Sequence, residues 1–343
     1  MPPLRVAMLG TGFIADFRIQ AYQRLPDVRL VSVLGRDPDR TKAFATNYGF
    51  EHSATSFEAL LAGPDFDIVD LCLPNHLHRE FGLLAAEAGK HIICEKPLAR
   101  TATEAQEMLN AAESAGIIHC YAENWIFSPE LLEVQDSVRQ GVIGRPLWLR
   151  AREGHFGPHS PWFYDAERAG GGALIDMGCH IISTFNWLIG EPVSEVFCHT
   201  ETLHHDTDCE DNAIAIVRYE GGAVGQVEAS WTVRGGMAVA LEIWGDEGTL
   251  TYDRSALSQP IRIFANKPTS KYFIEKGESD RGWLFPMVDE FSKYGYLGQL
   301  SHFLDCIRNR TEPALTFQHG LEVNRIIDQA YASSRAREWQ PLQ

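Results

Sequence analysis

The chain has 343 residues, 45% of them hydrophobic and 22% charged, with a formal net charge of −16. That length exceeds what one ordinary core supports, so two domains, or one large domain with an elaborate second half, are expected, and the composition excludes a disordered chain. The acidity and the lack of any basic run exclude a nucleic-acid partner, and no apolar run approaches the roughly 20 residues that cross a bilayer, so no membrane partner is expected either.

Met1-Pro2-Pro3-Leu4-Arg5-Val6 enters a strand-like run at once, without the charged start, apolar stretch and cleavage site of a secretory leader, and this points to a soluble cytoplasmic protein. The apolar run 5–9 suits a buried parallel strand, and Gly10-Thr11-Gly12 leads into a helical pattern over about 13–24. A strand at 28–34, a helix at 37–48, an extended piece near His52 and a helix near 57–61 follow. Residues 67–73 form the next strand, ended by Pro74, and a helix runs to about Ala88 with Gly89 as its stop. A strand at 91–94, a helix at 101–115 closed by Gly116 and a strand at 117–121 complete the series. Six strands with helical connections predict a doubly wound parallel sheet in a first domain of residues 1–123.

From Leu147 the pattern changes. Residues 147–152, 193–200, 212–219, 223–231, 237–244 and 248–252 read as strands between Gly-rich turns, and Glu220-Gly221-Gly222 is a hairpin signal. Helices near 178–188, 299–309 and 321–336 would cover one face of this largely antiparallel, meander-connected sheet. Residues 124–343 are therefore a second α/β domain, with a C-terminal helix free to pack back on the first. The open face of its sheet needs a partner and implies a homo-oligomer, dimer or tetramer.

In doubly wound sheets ligands bind beyond the carboxyl ends of the strands. Here Gly10-Thr11-Gly12-Phe13-Ile14 joins the first strand to the first helix, where glycines permit a tight turn and helix N–H groups face a pyrophosphate. After the second strand, Gly35 stands where an acid usually binds the ribose hydroxyls and Arg36 follows it, which favours NADP. A one-residue change of register would make Asp37 the ribose ligand and NAD the cofactor, and Arg36 and Arg40 also suit a solvated helix start. Pro74 to His78, Glu95-Lys96-Pro97 and Glu123-Asn124-Trp125 occupy the other strand ends. The seven cysteines are scattered without CxxC spacing and read as reduced thiols. His155, His159, Asp165, Asp176 and His180, or the acidic run 204–211, would be adequate metal ligands, but neither group has a recognised ligand spacing and no metal is expected.

Taken together, the opening GTGFIA, Leu73-Pro74-Asn75-His76-Leu77-His78, Glu95-Lys96-Pro97-Leu98, Gly141-Val142-Ile143-Gly144-Arg145-Pro146 and the stretch from Gly170 to His180 resemble the Gfo/Idh/MocA oxidoreductases over nearly the whole chain. The resemblance implies a Rossmann domain followed by an α/β domain with a large, mostly antiparallel, open-faced sheet that forms the oligomer interface. It makes Lys96 the active-site lysine of the EKP motif and Asp176 and His180 its acid and imidazole partners. It also sets Glu95 and Asn75 against the nicotinamide ribose and nearby cofactor, and His76 in the same wall. A sugar, polyol or sugar derivative is the implied substrate.

The chemistry follows from the residue types. Hydride leaves a secondary alcohol only as a base removes the hydroxyl proton, and the protein must manage that proton. His180 suits the acid/base role, with an ordinary pKa near about 6.5. Asp176 would fix its tautomer, and Lys96 would hydrogen-bond the reacting oxygen, with Lys96 as the rival base beside a cationic nicotinamide. The aromatic stretch around Trp162 and Tyr164 would cover a sugar ring, with Arg168, His155 or His159 on hydroxyls, or else form a packed connector. Asn124 and Trp125 are pocket candidates by position. Two further functions stay open, a glycosidase that uses NAD transiently without net reduction and a catalytically silent sugar or cofactor sensor.

Overall fold

The computed structural model describes residues 2–268, 280–287 and 289–342. They fall into two compact units, one of Met1–Phe127 with Tyr294–Asn324 and one of Ser128–Lys293 with Arg325–Gln343. Residues 294–324 thus return to the first unit, a division that differs from contiguous segments 1–123 and 124–343.

In the first unit, strands β1 (Leu4–Leu9), β2 (Val28–Leu34), β3 (His52–Ala54), β4 (Ile68–Leu71), β5 (His91–Glu95) and β6 (His119–Ala122) pair in parallel in the order β3-β2-β1-β4-β5-β6. Every residue of β4 and β5 is buried, which is why these runs are continuous rather than alternating. Helices α1 (Phe13–Tyr22), α2 (Pro38–Tyr48), α3 (Phe57–Leu61), α4 (Asn75–Glu87) and α5 (Ala102–Ser114) connect them. The side chains of Asp37, Ser56 and Thr101 accept the N–H groups of Arg40, Ala59 and Glu104, which fixes where α2, α3 and α5 begin.

His91 is buried at the start of β5, and its Nδ1 accepts the Ile118 N–H at 3.0 Å, a role open only to the neutral ring. Burial, helped by nearby Arg310, pushes its pKa from 6.5 down to about 4. A histidine depressed in the folded state contributes stability that is complete above its unfolded pKa and lost as pH falls toward the folded one. The first unit is therefore expected to lose roughly 2 kcal/mol between pH 6.5 and 4. Urea midpoints across that range should fall, and His91→Asn, which keeps an acceptor without the titration, should remove that part of the slope. An unchanged slope would refute the assignment.

The second unit holds α6 (Pro129–Arg139), β7 (Pro146–Gly154), α7 (Ala166–Ala169), α8 (Cys179–Ile189), β8 (Val193–Glu201), β9 (Asn212–Tyr219), β10 (Val224–Ser230), β11 (Ala238–Gly245), β12 (Thr249–Asp253), the small hairpin β13 (Ile263–Ala265) and β14 (Gly282–Leu284), and α9 (Glu290–Lys293). After α10 (Tyr296–Asn309) of the first unit, α11 (Phe317–Ala336) is divided between the units at residue 324, and β15 (Gln340–Pro341) closes the sheet. The order is β12-β11-β7-β10-β9-β8-β15. The hairpin expected at Glu220-Gly221-Gly222 is present between β9 and β10. A simple meander is not, because β7 lies between β10 and β11, parallel to the former.

Alternating burial along β9, β10 and β11 turns one face inward, where Phe185 of α8 packs on Gly225. The outward row includes Trp148 and Trp244, stacked at 6.4 Å, with Arg152, Ile214 and Glu228. A concavity of about 870 Å³ opens on that outer side, lined by Arg152, Asn212, Glu228 and Ser230 and by neither Asp176 nor His180. Residues 294–324 join the first unit because α10 is amphipathic. Its Leu300, Phe303, Leu304 and Ile307 are buried, Phe303 lies 5.4 Å from Phe127, and the Tyr296 ring lies 4.9 Å from Phe17 of α1. Among the described residues no helix is long and apolar enough to cross a membrane.

Candidate active site

At the end of β1 the backbone of Gly10 has φ +118°, and a β-carbon there would lie 2.1 Å from the Cys72 carbonyl oxygen, so only glycine fits this turn. Gly12 is the N-cap of α1 and brings no side chain to it, so the N-terminus of the helix follows directly on the turn. These features fit a dinucleotide pyrophosphate. Arg40 Nη2 donates to the Thr11 carbonyl at 3.0 Å, while Asp37 is engaged as the cap of α2 and Arg36 is exposed. Pro74 precedes α4, Asn75 is buried and His76 is half-buried. Buried His78 ties the loops together, with Nδ1 at 3.0 Å from the Pro97 carbonyl and Nε2 at 2.8 Å from that of Leu73.

Lys96 follows β5 and is half-buried. Its backbone N–H donates to Glu95 Oε2 at 3.1 Å, and Glu95 Oε1 accepts from Arg18 Nη1 at 2.9 Å. Arg18, 0% exposed on α1, also sets Nε 3.1 Å from Asp70 Oδ2, to which the Tyr22 hydroxyl donates at 2.8 Å. Burial pushes the Asp70 carboxyl above its usual range, with Arg18 opposing. Arg18 was invisible as a site residue because its partners lie on strands far along the chain. Asn124 and Trp125 are buried, the first donating its amide to the Tyr294 carbonyl at 2.6 Å and the second its backbone N–H to Glu123 Oε1 at 2.9 Å.

In the second unit, Leu174–Gly178 is a π-helical turn that runs into α8, a local form often found where a helix carries function. It holds Asp176, and α8 holds His180, only 2% and 6% exposed. The indole of Trp231 donates to Asp176 Oδ2 at 2.9 Å. The turn begins where Glu210 accepts the N–H groups of Gly172 at 3.0 Å and Leu174 at 2.9 Å and the hydroxyl of Tyr331 at 2.8 Å. Burial raises the Glu210 pKa against these donors.

Two carboxylates of the acidic run 204–211, Glu210 and Asp211, thus accept backbone N–H groups, and among the described residues no group of three His, Cys, Asp or Glu is placed to hold a metal ion. Trp162 stacks on Phe163 at 3.8 Å, and Tyr164 meets Trp231 edge-on at 5.9 Å. Arg168 is exposed on α7, whose cap is Asp165. Trp231 and Tyr331 carried no motif in the sequence, and Glu210 was visible only as part of the acidic run 204–211.

A parallel sheet in this strand order, with a glycine turn after β1 and a lysine after β5, defines a nicotinamide-dependent oxidoreductase. Residues 4–122 match the model for the oxidoreductase family with an NAD-binding Rossmann fold, and residues 131–251 match the GFO/IDH/MocA C-terminal domain. The chain belongs to the Gfo/Idh/MocA family.

It is 32% identical to levoglucosan dehydrogenase of Pseudarthrobacter phenanthrenivorans over 98% of this chain and 97% of that one. It is 30% identical to 1,5-anhydro-D-fructose reductase of Ensifer adhaerens over 97% and 98%. Among solved structures, GenD2 from gentamicin A biosynthesis in complex with NAD superposes with a TM-score of 0.94 at 25% identity, covering 100% of this chain and 97% of that one. Levoglucosan dehydrogenase with NADH and L-sorbose superposes at 0.85 and 27%, with both chains fully covered.

Proposed function

We propose that the chain transfers hydride between a nicotinamide cofactor and a secondary hydroxyl or carbonyl of a sugar, polyol or sugar derivative. The observation that carries this reading is a strand-end lysine, Lys96, in one chain with the buried pair Asp176 and His180 and a dinucleotide turn. The names of the relatives, which specify carbohydrates, support it.

The cofactor supplies the hydride chemistry when bound, and the chain's residues handle the oxygen and its proton. Lys96 donates to the reacting oxygen and stabilises its developing negative charge. His180 exchanges the proton, with Lys96 its rival. Asp176, oriented by the Trp231 indole, steadies His180 and binds a neighbouring hydroxyl. Glu95, Asn75, Pro74 and His76 line the cofactor, and Asn124, Trp125, Trp162, Tyr164 and Arg168 bound the sugar.

The engagement of Asp37 as a helix cap, beside exposed Arg36, supports NADP over NAD. Arg36→Ala is then expected to lower the ratio of kcat/KM for NADP to that for NAD by about tenfold or more, through loss of a charge-assisted bond to the 2′-phosphate. An unaltered ratio would remove Arg36 from the site. The reading includes a homodimer or homotetramer, formed through the outer sheet face that carries Trp148 and Trp244.

The test is nicotinamide reduction by the purified protein with anhydrosugars, free sugars, polyols and glycosides, run separately with NAD and NADP. Reduction with a sugar or polyol is the expected result. Glycosides consumed without net reduction would replace this reading by a redox-neutral glycosidase, and no reaction with any of them would overturn it.

A further inference from the structure

Two carboxylates at the end of the acidic run, half-buried Glu210 and buried Asp211, have no place in the hydride chemistry above. Yet Glu210 alone takes three successive N–H groups at the entry to the π-helical turn. Its Oε2 accepts from Gly172 at 3.0 Å, its backbone carbonyl from Ala173 at 2.9 Å and its Oε1 from Leu174 at 2.9 Å. The start of a helix leaves such donors without intrahelical partners, and a negative charge is favoured there. The Asp176 N–H then donates to the Gly172 carbonyl at 3.0 Å, so the clamped residues lead straight into the turn that carries the acid.

Glu210 is itself held, because the Tyr331 hydroxyl of α11 donates to Oε1 at 2.8 Å. A β-carbon on Gly171 would lie 2.0 Å from that hydroxyl and one on Gly172 1.9 Å from the Glu210 carbonyl oxygen, so these glycines admit both groups to the backbone. The next residue, Asp211, reaches the same acid by another route. Its carboxylate accepts the backbone N–H groups of Leu203 at 2.7 Å, His204 at 2.8 Å and His205 at 2.9 Å, which fixes the chain around it. Its carbonyl accepts the Trp231 backbone N–H at 2.8 Å, and the Trp231 indole, 0% exposed, donates to Asp176 Oδ2 at 2.9 Å. Consecutive residues thus hold Asp176 twice, Glu210 through its backbone and Asp211 through Trp231.

We propose that Glu210 is a positioning residue for the acid–base pair, clamping the entry of the turn so that the Asp176 carboxylate stays on the Trp231 indole and His180, on the helix that the turn runs into, is carried with it. The proposal rests on the roles given to Asp176 and His180 above. A carboxylate suits this place because it offers one oxygen to each of two N–H groups and still accepts the phenol. A glutamine of the same shape has a single acceptor oxygen. Its NH2 group must face the N–H of either Gly172 or Leu174, so one bond is lost and the turn shifts. Displacing a reacting group by roughly 1 Å can cost about 10²-fold in rate, so a small shift is enough.

The test pairs a kinetic cycle with a measurement that needs no substrate. Glu210→Gln is expected to lower kcat by about tenfold or more while the cofactor dissociation constant stays within about threefold. In an Asp176→Asn background the same substitution should cost less than about threefold, because no carboxylate is left to misplace. Proton–nitrogen NMR reads the geometry directly. The Trp231 indole N–H, identified as the signal absent from Trp231→Phe, should move in Glu210→Gln as its bond to Asp176 alters. Should Glu210→Gln fail to fold, Tyr331→Phe, which keeps the ring and takes only the hydroxyl from Glu210, is read in the same cycle and should act in the same direction. A loss by the same factor in both backgrounds, or an indole signal that stays in place, would make Glu210 a support of the fold alone and overturn the proposal. If the unaltered protein turns over no sugar or polyol, the carbohydrate reading falls instead, and the indole signal by itself decides whether Glu210 holds Asp176 in place.

Discussion

Replacing Lys96 by methionine is expected to lower kcat by about three orders of magnitude while affinity for the nicotinamide cofactor changes by less than about threefold. Methionine keeps the length and most of the volume of the side chain, so the loss isolates the ammonium group. That group would face the oxygen that becomes alkoxide-like, where one missing donor costs about 10²–10³ in rate, and proton management adds to it. The backbone should stay where it is, because Glu95 accepts the Lys96 backbone N–H. Single-turnover rates beside a fluorescence titration of the reduced nicotinamide cofactor separate the two quantities. A variant within tenfold of the unaltered rate would show that Lys96 is not at the reacting oxygen.

The second large effect falls on stability. Arg18→Met should destabilise the first unit by about 3–5 kcal/mol, the usual result of removing one partner from a buried ion pair. Asp70 and Glu95 both lose their guanidinium contacts inside the core. Asp70 already has its pKa raised by burial, and without Arg18 it is pushed further in the same direction. A carboxyl raised above its unfolded value favours the folded state at low pH and weakens it as pH rises through the folded pKa. The variant should therefore unfold at lower denaturant at pH 8 than at pH 5, and adding Asp70→Asn should recover part of the loss. A midpoint within about 1 kcal/mol of the unaltered protein at both pH values would refute the role given to Arg18.

The first unit was largely legible because its strands are short apolar runs that end at glycine, proline or a charged residue, so strand ends and ligand loops could be read together. Lys96, Asp176 and His180 stood out for the same reason, since each sits in a motif of adjacent residues. Arg18 and Glu210 did not, because their meaning lies in partners such as Asp70, Glu95 and Tyr331 that only folding brings near.

The return of 294–324 to the first unit depended on where the apolar stripe of α10 docks, which periodicity does not encode. Helix α6 had a signal that was passed over, Ser128 before Pro129, and Ser128 does cap it through the Leu131 N–H. The acidic run 204–211 read only as a set of metal ligands without a recognised spacing. Counting charges could not reveal that two of its carboxylates, Glu210 and Asp211, are consumed by neighbouring N–H groups.

The position of β7 has a consequence for how the protein is made. As the earliest strand of its sheet it emerges from the ribosome first, yet both of its neighbours, β10 and β11, are synthesised much later. Until they arrive, both edges of β7 offer unpaired backbone groups, the condition under which nascent strands associate wrongly. The local hairpins from β8 to β10 can form early, but the pairing of β7 with β10 and β11 is nonlocal, the kind of contact that slows folding. Arg150 and Arg152 alternate along the exposed side of β7, charges of the kind that discourage association of a strand that has no partner yet.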